Sequence, residues 1–492
     1  VVITERLGTY KTRLIYTVRG FGSDVGWAIH NNSPVNALRA LVERVYMVNS
    51  PEGLVPTPKP HPQAFRRLDE FRTRLLRHIP RAAPIDREQY PSNYVGRLKA
   101  VYQRAVDSLR SEPVRRDDAR IKPFVKAEKI NVSKKPDPCP RLIQPRSPRY
   151  NVEVGVYLKP LERLVYRAIA KVWGGQTVLK LNAEEQAKEL RSMWDSFSDP
   201  VAVGLDASRF DQHVSADALR WEHSCYLAAF KGEDRHRLGC LLEWQINNRA
   251  TMRVGDAEVR YVTDGCRMSG DINTSLGNCL LMSAMVWTYC HEKGIRARLA
   301  NNGDDCVVIM DGQDLLEFED GLIEWFLELG FEMEVERPVK TFEHIQFCQT
   351  QPVWAGDRWL MCRQPDVAIS KDLTSLLPLD KCLKAYLGAI GQCGLRALGG
   401  MPVFQEFYAN LALAGKGSGL GDHPTLASGL RMMADRLQRG YGEISAETRA
   451  SFCFAFGILP SEQIQLEEWL RANPLNPHLP LSPTPITPRW YN

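Results

Sequence analysis

Asn301-Asn302-Gly303-Asp304-Asp305 separates two short apolar runs, Ala297-Arg298-Leu299-Ala300 and Cys306-Val307-Val308-Ile309-Met310. Two such runs joined by a tight Asn/Gly turn predict a β-hairpin. Its tip presents two adjacent carboxylates. Hard oxygen ligands held close on a rigid element suit a magnesium ion, with water and phosphate completing the shell. Gly-Asp also occurs at Gly255-Asp256, Gly270-Asp271, Gly356-Asp357 and Gly421-Asp422, so the hairpin alone does not define a site.

Its surroundings narrow the reading. Upstream, Val201-Ala202-Val203-Gly204-Leu205-Asp206 is an apolar run ending in an acid, as a buried strand delivers a carboxylate to the edge of a site. Asp211 follows in Asp206-Ala207-Ser208-Arg209-Phe210-Asp211. Next comes Met268-Ser269-Gly270-Asp271-Ile272-Asn273-Thr274-Ser275-Leu276-Gly277-Asn278, a polar loop leading into an apolar helical stretch that runs to about Cys290. Ser269 lies 63 residues after Asp206 and 35 before Asp304.

This order (strand carboxylate, Ser-Gly loop with helix, carboxylate hairpin) resembles motifs A, B and C of the RNA-dependent RNA polymerases of positive-strand RNA viruses, unpermuted. Lys122-Pro123-Phe124-Val125-Lys126-Ala127-Glu128-Lys129, Lys134-Lys135 and Pro140-Arg141-Leu142-Ile143-Gln144-Pro145-Arg146 resemble the basic motif F. Phe342-Glu343-His344-Ile345-Gln346-Phe347-Cys348-Gln349 looks like motif E, and Tyr94-Val95-Gly96-Arg97 is the candidate for motif G. With Ala389 to Gly394 and Gly400-Met401-Pro402-Val403, the set is similar to tombusvirus- and carmovirus-type replicases over roughly residues 90 to 410.

The resemblance implies an α+β fold, a closed right hand of fingers, palm (antiparallel sheet plus helices) and mostly helical thumb. The implied division is an N-terminal extension with fingers over 1–195 (motif F at 122–149), palm over 196–233, a fingers insertion over 234–267, palm again over 268–355, thumb over 356–472 and a Pro-rich tail over 473–492. It implies RNA synthesis on template RNA from NTPs, with two Mg2+ ions, or Mn2+ in their place, and partners in an auxiliary viral replicase subunit and, indirectly, host cytoplasmic membranes.

Template-directed phosphoryl transfer asks protein for positioning and charge stabilisation more than for covalent chemistry. Asp206 and Asp304 are the expected shared metal ligands. Asp305 contributes less directly, its alternative being a carboxylate that stabilises the turn. Selecting ribose needs groups that hydrogen-bond the 2′-hydroxyl; Asp211, Ser269 and Asn278 carry the residue types the family places there, with Thr274 a fourth candidate. Asp211 and Ser269 could instead cap helices, and Asn278 could simply pack. Gly270 and Gly277 would allow close approach of the template backbone. Lys126 and Arg141 are expected nearest the triphosphate, with Lys135 and Arg146 in support. A general acid for pyrophosphate departure is expected in the family, and Lys340 is its candidate.

Composition fits this picture. A chain of 492 residues with 44% hydrophobic and 25% charged residues is long enough for a large multi-lobed globular enzyme. Its net charge of +5 is unevenly spread: residues 59–150 hold 23 Lys+Arg against 10 Asp+Glu, which suits a surface tracking a phosphate backbone. Residues 311–336 hold 10 acids and no Lys or Arg, and Leu315, Leu316, Leu322, Ile323, Phe326 and Leu327 there suggest an amphipathic helix with a solvated acidic face. Twelve cysteines without a C-x-x-C pair argue against zinc and for buried thiols. Arg6, Lys11, Arg13 and Arg19 break any signal peptide, and no apolar run approaches the roughly twenty residues of a membrane helix. The start at Val1 is compatible with a processed product, a readthrough portion or a trimmed chain.

A helicase or ATPase is excluded, because Gly415-Lys416-Gly417-Ser418 is not a phosphate-binding loop. A reverse transcriptase usually has an aromatic residue where Gly303 stands. A non-catalytic RNA-binding scaffold would keep the basic region without needing these carboxylates. A second hairpin is expected from His344–Gln349 and Arg358–Arg363, mainly helical structure from Leu376 onward, and an extended tail over Asn473–Asn492, whose six prolines and terminal Arg489-Trp490-Tyr491 suggest a segment that folds back to prop or gate initiation.

Overall fold

The computed structural model describes residues 2–4, 10–18, 26–255, 257–380, 382–416, 429–476 and 482–484, and these form a mixed helix-and-strand fold. The principal elements begin with α1 (Gly96–Ser111), a short ribbon β1 (Phe124–Val125) and β2 (Leu142–Ile143), and the long helix α2 (Pro148–Trp173). Then come α3 (Ala183–Trp194), β3 (Pro200–Ala207), α4 (Ala216–Leu227), the hairpin β4 (Asn247–Val254) and β5 (Ala257–Asp264), and α5 (Thr274–Lys293). β6 (Ala297–Asn302), β7 (Asp305–Asp311) and β8 (Met333–Val335) follow, then the hairpin β9 (Thr350–Trp354) and β10 (Trp359–Arg363). Four helices, α6 (Leu383–Leu398), α7 (Phe404–Ala414), α8 (Ala446–Phe456) and α9 (Pro460–Ala472), dominate the C-terminal part.

The central sheet is antiparallel throughout, in the order β6-β7-β3-β8. Because strand side chains alternate between faces, the near-continuous apolar run of β3 feeds two cores at once. Val201, Val203 and Leu205, with Val308 and Met310 from β7, pack into the core that holds α2 and α5. Ala202, with Val307 and Ile309, packs into a second core shared by α3, the β9–β10 hairpin and the C-terminal helices. On that second face the row Ala202, Gly204, Asp206 runs out of apolar groups at the carboxyl end of β3. There the sheet turns polar. α5 is buried from Leu276 to Cys290 on every side, as its uniformly apolar sequence requires.

The hairpin expected at Asn301–Asp305 is present. Asn302 pairs with Asp305, leaving Gly303-Asp304 as a two-residue turn. Gly303 has φ +95°, a value that favours glycine. Asn301, fully buried, braces the turn by donating from Nδ2 to the Gly303 carbonyl at 2.7 Å and accepting from its amide at 3.3 Å.

Two expectations need correction. The second hairpin starts at Thr350, not His344, because Cys348 and Gln349 take positive φ values of 52° and 60° and Phe342–His344 form a short helical turn. The acidic run is not one helix with the expected stripe. It breaks at Asp320-Gly321, buries Phe318, Leu322, Trp325, Phe326 and Leu329, and leaves Leu316, Ile323 and Leu327 exposed. Of its last acids, Glu334 lies in β8 and Glu336 follows it, so that Met333-Glu334-Val335-Glu336 alternates with period two.

The N-terminal segment is tied to the rest by sheet pairing. Val2–Thr4 extends the β4–β5 hairpin, and Ile15–Thr17 lies between Thr374–Ser375 and Ser482–Thr484 of the tail. Arg489-Trp490-Tyr491 lie outside the described residues. Among the described residues no helix is long and apolar enough to cross a membrane.

Candidate active site

β7 and β8 bring their acids to Asp206 from both sides: Asp305 is its cross-strand partner on β7 and Glu334 on β8. Directly opposed residues in an antiparallel sheet have Cα atoms about 5 Å apart and project to one face, so this rung sets like charges side by side. Asp304 adds a fourth carboxylate from the turn, and Glu336 lies against Gly204, where a Cβ would collide with its carboxylate. Partial burial, then Glu334 and Asp304, raises the Asp206 pKa, while Lys135 favours the ionised form. Burial raises Asp305 to about 6, against the pull of the Cys348 amide, and Asp304, Glu336 and Asp206 push the same way. The fold keeps repelling carboxylates together at an exposed sheet end, an arrangement that a cation relieves.

Asp206 and Asp304 are exposed, whereas Asp305 is half-buried with Oδ2 accepting from the Cys348 amide at 2.9 Å. Among the described residues no three His, Cys, Asp or Glu side chains form a cage for a metal ion by themselves. Magnesium is held by one or two carboxylates where substrate phosphates and water supply the rest of its shell. Asp206 and Asp304 fit that mode.

Beside the rung lies a buried polar chain. Asn278 donates from Nδ2 to Asp211 at 2.8 Å and accepts from Arg267 Nε at 3.0 Å, and Arg267 forms a two-pronged ion pair with Glu222. Both partners of that pair are fully buried. Burial lifts Asp211 to about 6, moderated by Asn278 and Arg267. The structure thus joins Asp211 and Asn278 directly, and a Cβ on Gly303 would stand 3.8 Å from the Asn278 Cβ. Asp211 lies inside a short helix, Phe210–His213, and does not cap it. Ser269 Oγ donates to the Leu142 carbonyl at 2.9 Å, tying its loop to β2, and Thr274 Oγ1 donates to the carbonyls of Met268 and Asp271.

The basic side is the β1–β2 ribbon. The Lys126 amide donates to the Arg141 carbonyl at 2.8 Å, so both residues leave the same end of it. Glu128 sits between them, 3.0 Å from Lys126 Nζ and bonded twice by Arg141. Beyond this partner, the fields of Asp304 and Asp211 also favour the Arg141 cation.

Four other expected residues fall elsewhere. Arg146 is buried and spends its guanidinium on Asp271, Asn248 and the carbonyls of Ala119 and Trp244, with no group left for a triphosphate. Gly270 permits close approach, but the approaching backbone is that of Gln144-Pro145. Gly277 makes room for the Arg267–Glu222 pair, not for template. Lys340 follows Val339, which pairs with Ala202, four residues and roughly 13 Å back along β3 from Asp206; its exposed ammonium lies 3.6 Å from Asp199.

Sequence reading missed Glu334 and Glu336, although the alternation of residues 333–336 was a legible strand signal. It also missed Glu222, Arg267 and the Cys348 amide. No local pattern marks these: Glu222 lies 45 residues from Arg267, and Cys348 lies 43 from Asp305.

Carboxylates gathered opposite a basic ribbon suit a cation that phosphate also ligates, and comparison with known proteins supplies the family. The profile of the viral RNA dependent RNA polymerase family matches residues 1–476. The chain belongs to that family. Proteins called RNA-directed RNA polymerase are 46% identical over 463 residues in tobacco necrosis virus (strain A), 44% over 478 in its strain D and 44% over 468 in turnip crinkle virus. These alignments cover 93%, 95% and 93% of this chain but 63%, 66% and 60% of the relatives, so the chain spans under two thirds of their length. The resemblance to tombusvirus- and carmovirus-type replicases read from the motifs is borne out.

Proposed function

We propose that this chain is the polymerase part of a viral replicase and synthesises RNA on an RNA template, transferring nucleotidyl groups from NTPs to a 3′-hydroxyl during replication of a positive-strand genome. The observation that carries the reading is the pairing of Asp206 with Asp305 across β3 and β7, with Asp304 at the turn beside them. In this reading β6-β7-β3-β8 with α5 is the palm, the basic region with the β1–β2 ribbon and the β4–β5 hairpin forms the fingers, and the helices after β10 are the thumb.

Asp206 and Asp304 would hold two divalent ions, Mg2+ with Mn2+ as a substitute, which supply charge neutralisation to the triphosphate and activation to the attacking hydroxyl. The chain's own residues do the rest. Arg141 and Lys126 receive the triphosphate, and Glu128 keeps both cations in place before it arrives. Asp211 and Asn278 read the 2′-hydroxyl, which distinguishes ribose from deoxyribose. Arg267 fixes the Asn278 carbonyl oxygen and leaves its amide aimed at Asp211. Lys340 is left out of this scheme because of its place beside Asp199.

Starts without a primer belong to the same reading, with the tail as the supporting element. So do an auxiliary replicase subunit and membrane-associated replication complexes in the host cytoplasm. Incorporation of labelled nucleotide on a defined template RNA, with and without magnesium, tests the core proposal. Magnesium-dependent, template-specified product is expected; RNA binding without incorporation would make the chain a replication scaffold instead.

A further inference from the structure

The N-terminal helix Pro34–Leu41 runs on into a π-helical turn, Val42–Tyr46, a widened geometry often kept at functional sites. Arg39 and Glu43 stand one turn apart on this stretch, with Arg39 Nε 2.7 Å from Glu43 Oε1. On one side of the pair, Arg39 Nη1 lies 2.5 Å from Asp137 Oδ1. On the other, the Arg209 guanidinium donates to the Glu43 carbonyl and lies 3.8 Å from its carboxylate. The side chains of Arg39, Glu43 and Arg209 are 23%, 15% and 17% exposed, so these pairs are screened by salt much less than surface pairs.

The series Asp137–Arg39–Glu43–Arg209 joins two loops of the carboxylate site. Asp137 lies two residues after Lys135, in the turn that carries Lys134 and Lys135. Lys135 favours the ionised form of Asp206 and Lys134 that of Glu336, so the charge of this turn is felt at the carboxylate rung. The N-terminal segment holds the turn at two further points: His30 Nε2 lies 3.0 Å from the Pro138 carbonyl, and Arg44 Nη2 donates to the Cys139 carbonyl at 3.2 Å. At the other end, Arg209 lies between Asp206 and Asp211 and holds φ +49°, a left-handed backbone that a non-glycine residue keeps only where its surroundings dictate it. Glu43 supplies one anchor, through a carbonyl in the last turn of its helix, where carbonyls lack an intrahelical donor. Buried Gln212 supplies a second, donating to the Met47 carbonyl and to Thr57 Oγ1 at 2.8 Å each.

We propose that Asp137, Arg39, Glu43 and Arg209 act as one strut that sets the separation of the Lys134-Lys135 turn from the Asp206–Asp211 loop, with Arg39 and Glu43 as positioning residues for nucleotidyl transfer. They act through Lys135 and Asp206 and need not touch substrate. A misplacement of about 1 Å at reacting groups costs up to about 10²-fold in rate. RNA affinity, summed over many phosphate contacts, registers it little. The proposal rests on the polymerase reading above.

The test uses the full chain and the charge-removing variants Asp137→Asn, Arg39→Gln and Glu43→Gln, with thermal unfolding to check that each is folded. In single-nucleotide incorporation on primed template, each should lower kcat about tenfold and leave NTP KM and RNA affinity within about twofold. Arg39→Lys should recover only part of the loss, since one ammonium does not span two carboxylates as the guanidinium fork does. Because the links lie in series, the Asp137→Asn/Glu43→Gln double variant should lose about as much as either single one; independent sites would lose about a hundredfold. Discrimination against deoxyribonucleotides should fall in the same variants, because Asp211 rides on the loop that the strut holds. A residue that only supports the fold would lower the unfolding temperature and leave that ratio alone. Wild-type kcat in folded Glu43→Gln, or additive losses in the double variant, would overturn the proposal. So would a loss confined to RNA affinity, which would make this stretch an RNA contact. If the wild type incorporates no nucleotide, the polymerase reading fails, and hydrogen exchange decides the strut on its own. In Glu43→Gln the amides of segments 134–139 and 207–213 should then exchange faster together, and unchanged exchange in either segment would overturn it.

Discussion

The backbone amide of Cys348 donates to Oδ2 of Asp305 at 2.9 Å, across from the turn that carries both aspartates. Cys348 and Gln349 hold left-handed backbone conformations that non-glycine residues seldom adopt, and this turns the amide toward the carboxylate. Asp305 is thereby anchored from within the protein, whereas Asp304 has no side-chain partner among the described residues. The two neighbours do different work: Asp304 is free to meet a cation, and Asp305 locks the hairpin to the segment before β9.

Asp304→Ala should therefore reduce nucleotide incorporation by about 10³-fold or more while RNA affinity stays within about twofold. Asp305→Asn keeps an oxygen for the Cys348 amide and should lose only about tenfold. Single-turnover incorporation alongside RNA titration separates the two effects. Equal losses in both variants would erase the distinction drawn between them.

Protonation gives a second check. An unfolded aspartate titrates near 3.9, and Asp305 is raised to about 6 by burial and its acidic neighbours. The folded state thus binds more protons between those values, so this stabilising contribution is complete below about pH 4 and lost as pH rises through 6. Allowing for partial exposure, the penalty at neutral pH is about 1–2 kcal/mol. Without metal, Asp305→Asn should unfold at higher temperature than wild type at pH 7.5, and the gap should shrink at pH 5. Added Mg2+ should raise the wild-type midpoint more at pH 7.5 than at pH 5. A pH-independent gap would remove repulsion as its cause.

What the sequence disclosed and what it hid divide along a physical line. The hairpin, β3 and α5 were legible because pattern and turn chemistry are local: two apolar runs around the Asn301–Gly303 turn, an apolar run ending at Asp206, and a mainly apolar stretch from Leu276 to Cys290. Residue type alone misled at Arg146, Gly270 and Gly277. Nothing near Arg146 in the chain announces that Asp271, 125 residues away, will neutralise it. Nothing near Gly277 foretells that a buried ion pair will occupy the space its side chain vacates. Glu334 was hidden for another reason: ten acids in one stretch looked like a solvated helix face until the strand register put one of them opposite Asp206.

Asn278→Ala should weaken discrimination against deoxyribonucleotides about tenfold and lower ribonucleotide turnover less if, as proposed, the amide that bonds Asp211 also serves to read the sugar. The lost hydrogen bond favoured the charged form of Asp211, so its pKa should rise above about 6 and the acid limb of the selectivity profile should move to higher pH. Competition between matched ribo- and deoxyribonucleotides across pH 5.5 to 8 measures both. An unchanged selectivity ratio would leave Asn278 as a packing residue.

Arg141→Ala should cut kcat/KM for NTP by about 10²-fold, through loss of a charge-assisted phosphate contact. It should leave Glu128 with Lys126 as its remaining cation, so Arg141→Lys should recover only part of the loss, a point charge replacing a two-pronged contact. Steady-state kinetics at saturating RNA gives the answer. A change confined to RNA affinity would move Arg141 to the template path.

The tail offers the last prediction, and its anchoring decides how to make it. Asn410 accepts from the Leu475 amide at 2.8 Å and donates to the carbonyls of Leu470 and Asn473, so the beginning of the tail is part of the C-terminal core. Ser482–Thr484 then pairs with Ile15–Thr17. Deleting 473–492 would remove buried Leu475 and that pairing together, and would confuse stability with function. Deleting 485–492 removes Arg489-Trp490-Tyr491 and leaves both anchors. If those aromatic faces support the first nucleotide, the shorter deletion should reduce primer-independent starts about tenfold and leave extension of an annealed primer unchanged, because stacking is needed only until a duplex end exists. Parallel assays of both activities, with thermal unfolding as a control, decide. Equal change in the two activities, or none in either, would deny the terminal residues a part in initiation.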